Sequence, residues 1–393
     1  MSSGGGMAGA RTVVVLGFGQ MIAFASSFYL FGVLADPIAG DLHLPTSYLF
    51  SLMSASLLVS AVASAPTGRW LDKHGGKGLL LASSGVFALG LVLLACARGP
   101  VSLAAGALTI GAGMSIGLYE TVFAILVAIH GEGARRPITA VALVGGLGSS
   151  VGWPATLAMT QAFGWRGACL GWAAAHLLIC LPLAALAVPR VGARGAHHEP
   201  PPPMASFWDR RMIQLAGLFT IAWFISVCIS AHLPRLLMRL GLPPAAAAAT
   251  AALVGVAAVT ARLLEFTVLR KLPPLATTRV ATLMHPLGGV AVLLFGAKAS
   301  ALLALGQGAG NGMLTVAKGV LPLSLYGPKH YGYRSGLLSA PARFVQVTGP
   351  LLYGLILDRS AVLALMVSSG LCLGMFALTL GLKGHPVASD RAP

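Results

Sequence analysis

Glu120 stands between Tyr119 and Thr121 inside a long apolar run, 101–129, and Lys318 occupies a comparable setting in the second half of the chain. A carboxylate so placed can load and release a proton, and an ammonium can hold an anion. Both must be offset by a cavity or a counter-charge, because an ionised side chain at mid-membrane depth costs at least about 2.5 kcal/mol. A third concentration of charge is "GRWLDKHGGKG", Gly68 to Gly78. It gathers five ionisable side chains in eleven positions, while only 9% of the chain is Asp, Glu, Lys or Arg. A fourth is Arg262 with Glu265, three apart and therefore on one face of a helix.

The elements that position these residues follow from composition. The chain has 393 residues, 56% of them hydrophobic, and a mean hydropathy of +0.84. A water-soluble protein of this size needs more polar surface, so the chain reads as membrane-embedded. Its net charge of +16 does not point to nucleic acid, since no basic block is interleaved with aromatic residues. The five cysteines are scattered in apolar context without CxxC spacing, which excludes a zinc site and a disulfide framework. They read as small buried hydrophobes.

Polar and Pro/Gly-rich interruptions divide the sequence into twelve apolar segments. They lie near 12–35, 46–67, 78–97, 101–129, 137–162 and 167–188, then near 212–234, 245–268, 276–297, 299–325, 336–357 and 361–382. The first is long enough to cross a bilayer and is read as retained rather than cleaved. The division implies a short flexible tail (1–11), a six-helix bundle (12–188), a proline-rich linker (189–211), a second bundle (212–382) and a C-terminal tail (383–393). With the N-terminus inside, 17 Lys and Arg fall in inward segments, 6 in outward ones and 3 within or near spans. This bias places both termini and the linker in the cytoplasm of a plasma membrane, of bacterial inner-membrane type.

The halves repeat. "GRWLD" (68–72) matches "ARLLE" (261–265), and "GAGMSIGLYET" (111–121) matches "GAGNGMLTVAK" (308–318). Parallel repeats of six helices are an architecture of secondary transporters. Over essentially its whole length the chain resembles the major facilitator superfamily, whose loop motif between spans two and three reads G-x-x-x-D-[RK]-x-G-[RK]-[RK]. Gly68, Asp72, Lys73, Gly75 and Lys77 fill it, and Gly76 departs where a base is usual. The resemblance implies a twelve-helix all-α membrane fold and a gating role for Asp72, a carboxylate that meets a helix N-terminus and lets go of it. By the repeat, Arg262 and Glu265 form either a second cytoplasmic gate or a pair buried within the bilayer.

Weaker marks follow. "GSSVGWP" resembles the glycine/proline motif of the fifth span in exporters through Gly148, Gly152 and Pro154, and reads equally as helix packing. "FGWR", Phe163 to Arg166, reads as a structural turn. The fourth-span arginine of many drug/proton exporters is replaced by Ala107. "SSFYLFGVLADPIAGDLHLP" with Arg262/Glu265 gives a loose similarity to bacterial relatives of the monocarboxylate branch. In this fold spans one, four, seven and ten line the cavity. That makes Glu120 a proton-coupling candidate and Gln20, Tyr29, Tyr119, Trp223, His232, Asn311 and Lys318 substrate-cavity candidates. A static salt bridge between Glu120 and Lys318 is the alternative. Arg343, in "APARF", is either interfacial or functional. "YGPKHYGYR" (326–334) suits an anionic leaflet.

The functional expectation is a secondary active carrier of a small organic solute working by alternating access, in the mode of proton-coupled efflux. Uptake of a small organic anion such as a monocarboxylate is the alternative, and a channel or receptor is more remote. The partners are substrate, coupling proton and lipid, for a monomer with no cofactor, metal or nucleic acid. ATP is excluded as a partner because GxxxxGK[ST] is absent. No catalytic function is expected, on the reading that neither HExxH nor GxSxG is present.

Overall fold

A computed structural model of the protein describes residues 3–189 and 207–382. Most of the expected linker and the C-terminal tail lie outside them. Among the described residues the secondary structure is helical, without strands. The chain clusters into two compact units. Among the described residues the first takes in the N-terminal helices together with residues 332–347, and the second takes in 207–331 with 348–382.

The first unit contains α1 (Ser3–Ala25), α2 (Phe31–Leu42), α3 (Thr46–His74), α4 (Gly76–Ala95), α5 (Pro100–Gly117), α6 (Tyr119–His130), α7 (Arg135–Gly145), α8 (Gly148–Ala175) and α9 (Leu181–Ala187). The short tail read ahead of the first span is thus drawn into α1 from Ser3 onward. Several expected spans are broken helices. The first span breaks between Ala25 and Phe31, and the fourth breaks at Leu118, whose backbone is extended. Gly164 interrupts α8 at φ 71°, a left-handed backbone that a side chain disfavours. Its neighbours in the FGWR turn make ties that fit a structural role. Arg166 donates to Asp41 and to the Ala97 carbonyl, and Trp165 Nε1 donates to Asp41 at 3.2 Å.

The second unit contains α10 (Arg210–Arg239), α11 (Pro244–Thr267), α12 (Pro274–Phe295), α13 (Ser300–Tyr326), the later part of α14 (Tyr331–Arg359) and α15 (Ala361–Leu380). Each of the twelve apolar segments therefore falls on helix. Among the described residues eight continuous helical runs are long and apolar enough to cross a membrane. One of these, 274–326, takes in two of the expected segments. Leu178, Leu186 and Leu294 stand exposed on helix surfaces, which suits a lipid solvent rather than water.

The repeat read from the sequence has a packing counterpart. A Cβ on Gly111 would meet the Ser56 backbone of α3, and one on Gly113 would meet Phe87 of α4. At the matching places a Cβ on Gly308 would meet the Val254 carbonyl of α11, and one on Gly310 the Ala281 carbonyl of α12. Small residues let these helices approach where hydrocarbon supplies no hydrophobic drive for packing.

Candidate functional site

The break at Leu118 positions Glu120. It ends α5 and starts α6 afresh, so Glu120 lies in the first turn of a helix, where free N–H groups favour negative charge. Its carboxylate accepts from Ser339 Oγ and from the Arg343 guanidinium, both at 2.9 Å. Ser339 and Arg343 are four apart on the part of α14 that belongs to the first unit. The ion pair is deep, with side chains 9% and 12% exposed. Nη1 of Arg343 is buried and has no hydrogen-bond partner among the described residues. One arm of the guanidinium therefore holds Glu120 while another still has a donor to give.

The cation that neutralises Glu120 in this cluster is Arg343, which the sequence reading left between two roles. A signal for it was available. Ser335, Ser339, Arg343 and Gln346 are all buried polar residues, spaced to share one face of α14. Lys318 lies in the second unit, where its Nζ sits 4.6 Å from the centroid of the Trp223 ring, bringing two candidates together in a cation–π contact.

The other first-unit candidates surround the two helix breaks. Gln20 is buried and donates to the Gly117 carbonyl at 2.7 Å, satisfying a group that the break at Leu118 releases. Tyr119 packs on Phe24, centroids 4.8 Å apart, and Tyr29 packs edge-on to Trp153 at 5.7 Å. Phe24 also neighbours Tyr29, so Tyr29 and Tyr119 belong to one aromatic cluster. Gly148 and Gly152 face α1: a Cβ on either would crowd Phe24 or Ala25. Pro154 lies inside α8. In the second unit His232 is 5.9 Å from the Tyr353 ring, and the Asn311 carbonyl accepts from Thr315.

The charged loop is built as a cap. Asp72, near the end of α3, accepts from the Gly332 and Tyr333 amides at 2.9 and 2.8 Å. These are two of the N–H groups that the first turn of α14 leaves without helical partners. Gly68 lets the backbones close: a Cβ there would strike the Gly332 carbonyl and come within 2.9 Å of Tyr333 Cα. Arg69 lies over the Tyr333 ring at 5.2 Å. Gly75, at φ 81°, ends α3. Lys77 donates to the Ala185 carbonyl near the end of α9 at 2.6 Å, and Lys73 is exposed. Gly76 has its own reason, since any Cβ there would collide with Ile125. A base at that position has no room.

Arg262 and Glu265 are buried within α11, 7% and 3% exposed, in a run apolar enough to cross a membrane. Arg262 reaches Thr315 Oγ1 of α13 at 3.5 Å. Contrary to the expectation that GxSxG is absent, Gly113 to Gly117 spells GMSIG, a GxSxG pattern. It lies inside α5, with the Ser115 hydroxyl donating to the Ala112 carbonyl at 2.7 Å, and has none of the strand-to-helix setting of a nucleophile elbow. Among the described residues no group of three His, Cys, Asp or Glu could hold a metal ion.

The sequence model of the Major Facilitator Superfamily matches residues 16–306. The chain belongs to this superfamily. Solved structures agree on the fold. The chain is similar to the proton:xylose symporter XylE bound to 6-bromo-6-deoxy-D-glucose, with a TM-score of 0.74 at 12% identity, covering 95% of this chain and 96% of that one. It is similar to the transporter FucP in the outward conformation, with a TM-score of 0.70 at 13% identity over 94% and 97%. It is also similar to the human organic anion transporter MFSD10 (TETRAN), with a TM-score of 0.68 at 17% identity over 94% and 99%. No curated protein matches the chain in sequence. A major facilitator protein is a multi-pass membrane transporter, and the Arg343 that pairs with Glu120 lies beyond the matched segment.

Proposed function

We propose that this major facilitator protein is a secondary active transporter that moves a small organic anion together with a proton by alternating access. The observation that carries the reading is the Glu120–Arg343 pair with its open guanidinium arm. The pair is neutral. A proton arriving on Glu120 frees Arg343, and an anion arriving on Arg343 leaves the cluster neutral again. Either event alone leaves a buried uncompensated charge, which is strongly unfavourable. Proton and anion therefore load as a couple. This favours anion–proton co-transport over exchange of a proton against a cationic drug, and the gradients set the direction.

Asp72 serves as a releasable cap on α14, engaged in one conformation of the cycle and broken in another. Two six-helix bundles (12–188 and 212–382), cytoplasmic termini and a monomeric unit in a plasma membrane complete the proposal.

A thermal-shift screen of small carboxylates against purified protein finds the substrate, because a ligand that binds the folded state raises its apparent stability. Proton and substrate flux are then followed together in proteoliposomes. Glu120→Gln is expected to abolish uphill, pH-driven accumulation while keeping part of the substrate exchange, which needs no net proton movement. Intact pH-driven accumulation by well-folded Glu120→Gln protein would refute the coupling role.

A further inference from the structure

Away from the Glu120 pair, the first unit encloses a small cavity lined by Gln20 of α1, Ser83 and Ser84 of α4, Gly117 at the α5 end, and His176. His176 opens a π-helical turn, His176–Cys180, between α8 and α9. Such turns are rare and occur often at functional sites. Gln20 and His176 are 1% and 2% exposed. Gln20 Oε1 and His176 Nδ1 accept no hydrogen bond among the described residues.

Ser26 Oγ lies 2.8 Å from both the Ile22 carbonyl and His176 Nε2. With its proton on the carbonyl it accepts from Nε2, and that tautomer leaves a lone pair on Nδ1. Gln20 donates to the Gly117 carbonyl and leaves its oxygen without a partner among the described residues. The Ser83 hydroxyl donates to the Leu80 carbonyl at 2.8 Å. In this tautomer the side-chain polar atoms lining the cavity have acceptors to offer.

What fits is a donor with at least two protons. Charge decides which one. No carboxylate lines the cavity, and a cation buried without a counter-charge costs far more than hydrogen bonds to neutral acceptors return. Two bare acceptors, by contrast, each carry a desolvation penalty that one neutral donor removes. We propose that this cavity is a binding site for a single ordered water, which donates to Gln20 Oε1 and His176 Nδ1 and so ties α1 to the π-turn.

The test uses the full-length protein in lipid, with its histidine nitrogens labelled. The His176 signals are identified by their loss in His176→Phe, which keeps an aromatic ring against Phe87. Expected are an Nε2–H tautomer, a hydrogen-bonded Nδ1 and magnetisation transfer from water to the ring. All three should be unchanged when sodium or ammonium replaces a bulky organic cation in the buffer. A free Nδ1 without water transfer would mean a dry cavity, and signals that titrate with sodium or ammonium would mean a cation. Either overturns the proposal. A second arm compares melting temperatures of Gln20→Leu, His176→Phe and the double variant. One shared water predicts a double loss smaller than the sum of the single losses, and strict additivity would refute the sharing.

Discussion

The ends of α3 and α11 carry the same five-residue pattern and use it differently. At Gly68–Asp72 the carboxylate is only half-buried and reaches out of its own helix to two amides on α14. At Ala261–Glu265 both charged residues are buried within the body of α11, and Arg262 is aimed at α13. A partly exposed acid can exchange amide partners for water, at about 1.5–3 kcal/mol for each hydrogen bond to a charged group. A buried charge has no such alternative. One pattern reaches out to another helix at a partly exposed position, and the other is buried.

The strongest way to break this contrast is to remove a charge from the buried member. Arg262→Met is expected to destabilise the protein by about 1–3 kcal/mol, because it removes a buried guanidinium and its contact with Thr315 Oγ1. Thermal unfolding in detergent, followed by loss of monodisperse protein, reads this. A variant that melts like the wild type would mean that the two helix ends are equivalent after all.

The partly buried member should respond in turnover more than in stability. Asp72→Asn keeps one acceptor oxygen but loses the charge and cannot accept from both amides, so a cost of about 1–2 kcal/mol is expected. The variant should insert normally, transport slowly and shift the spacing of spin labels placed on α3 and α14. Gly68→Ala sharpens the point with the charge left in place. Its methyl group would strike the Gly332 carbonyl, pushing the start of α14 away, so the same shift in label spacing is expected from sterics alone. Wild-type spacing and transport in both variants would dispose of the releasable cap.

Much of this architecture was legible in the sequence because it is written in local terms. Apolar runs fall on helices since hydrocarbon leaves the backbone no other way to satisfy its own polar groups. The Gly68 motif carries its spacing in one loop. The pairing of Glu120 with Arg343 was not legible, because 223 positions separate them and only the packing of α14 brings them together. The helix break at Leu118 was also hidden: Leu118 is an ordinary apolar residue, and the break shows only in where the freed Gly117 carbonyl finds Gln20. Gly76 looked like a defect in the motif, whereas contact with Ile125 explains it.

The smallest expected effect concerns an ion pair at the FGWR turn. Asp41, at the end of α2, meets Arg166 in the FGWR turn at 2.5 Å, with both side chains over 40% exposed. The hydrogen bond from Arg166, joined by that from Trp165, holds the Asp41 carboxyl below its ordinary value. A carboxylate whose folded-state pKa is depressed contributes stability that is complete above its unfolded pKa and is lost as pH falls through the folded value. The contribution should therefore be present at neutral pH and fade only in acid. Solvent and salt screen a pair this exposed, so Asp41→Asn is expected to lower the melting temperature slightly at pH 7. The difference from wild type should begin to shrink once the pH falls below the ordinary carboxylate pKa, and should also shrink in molar salt. A gap that persists unchanged in acid would show that Asp41 acts through packing or through Trp165, and that the turn does not depend on its ion pair.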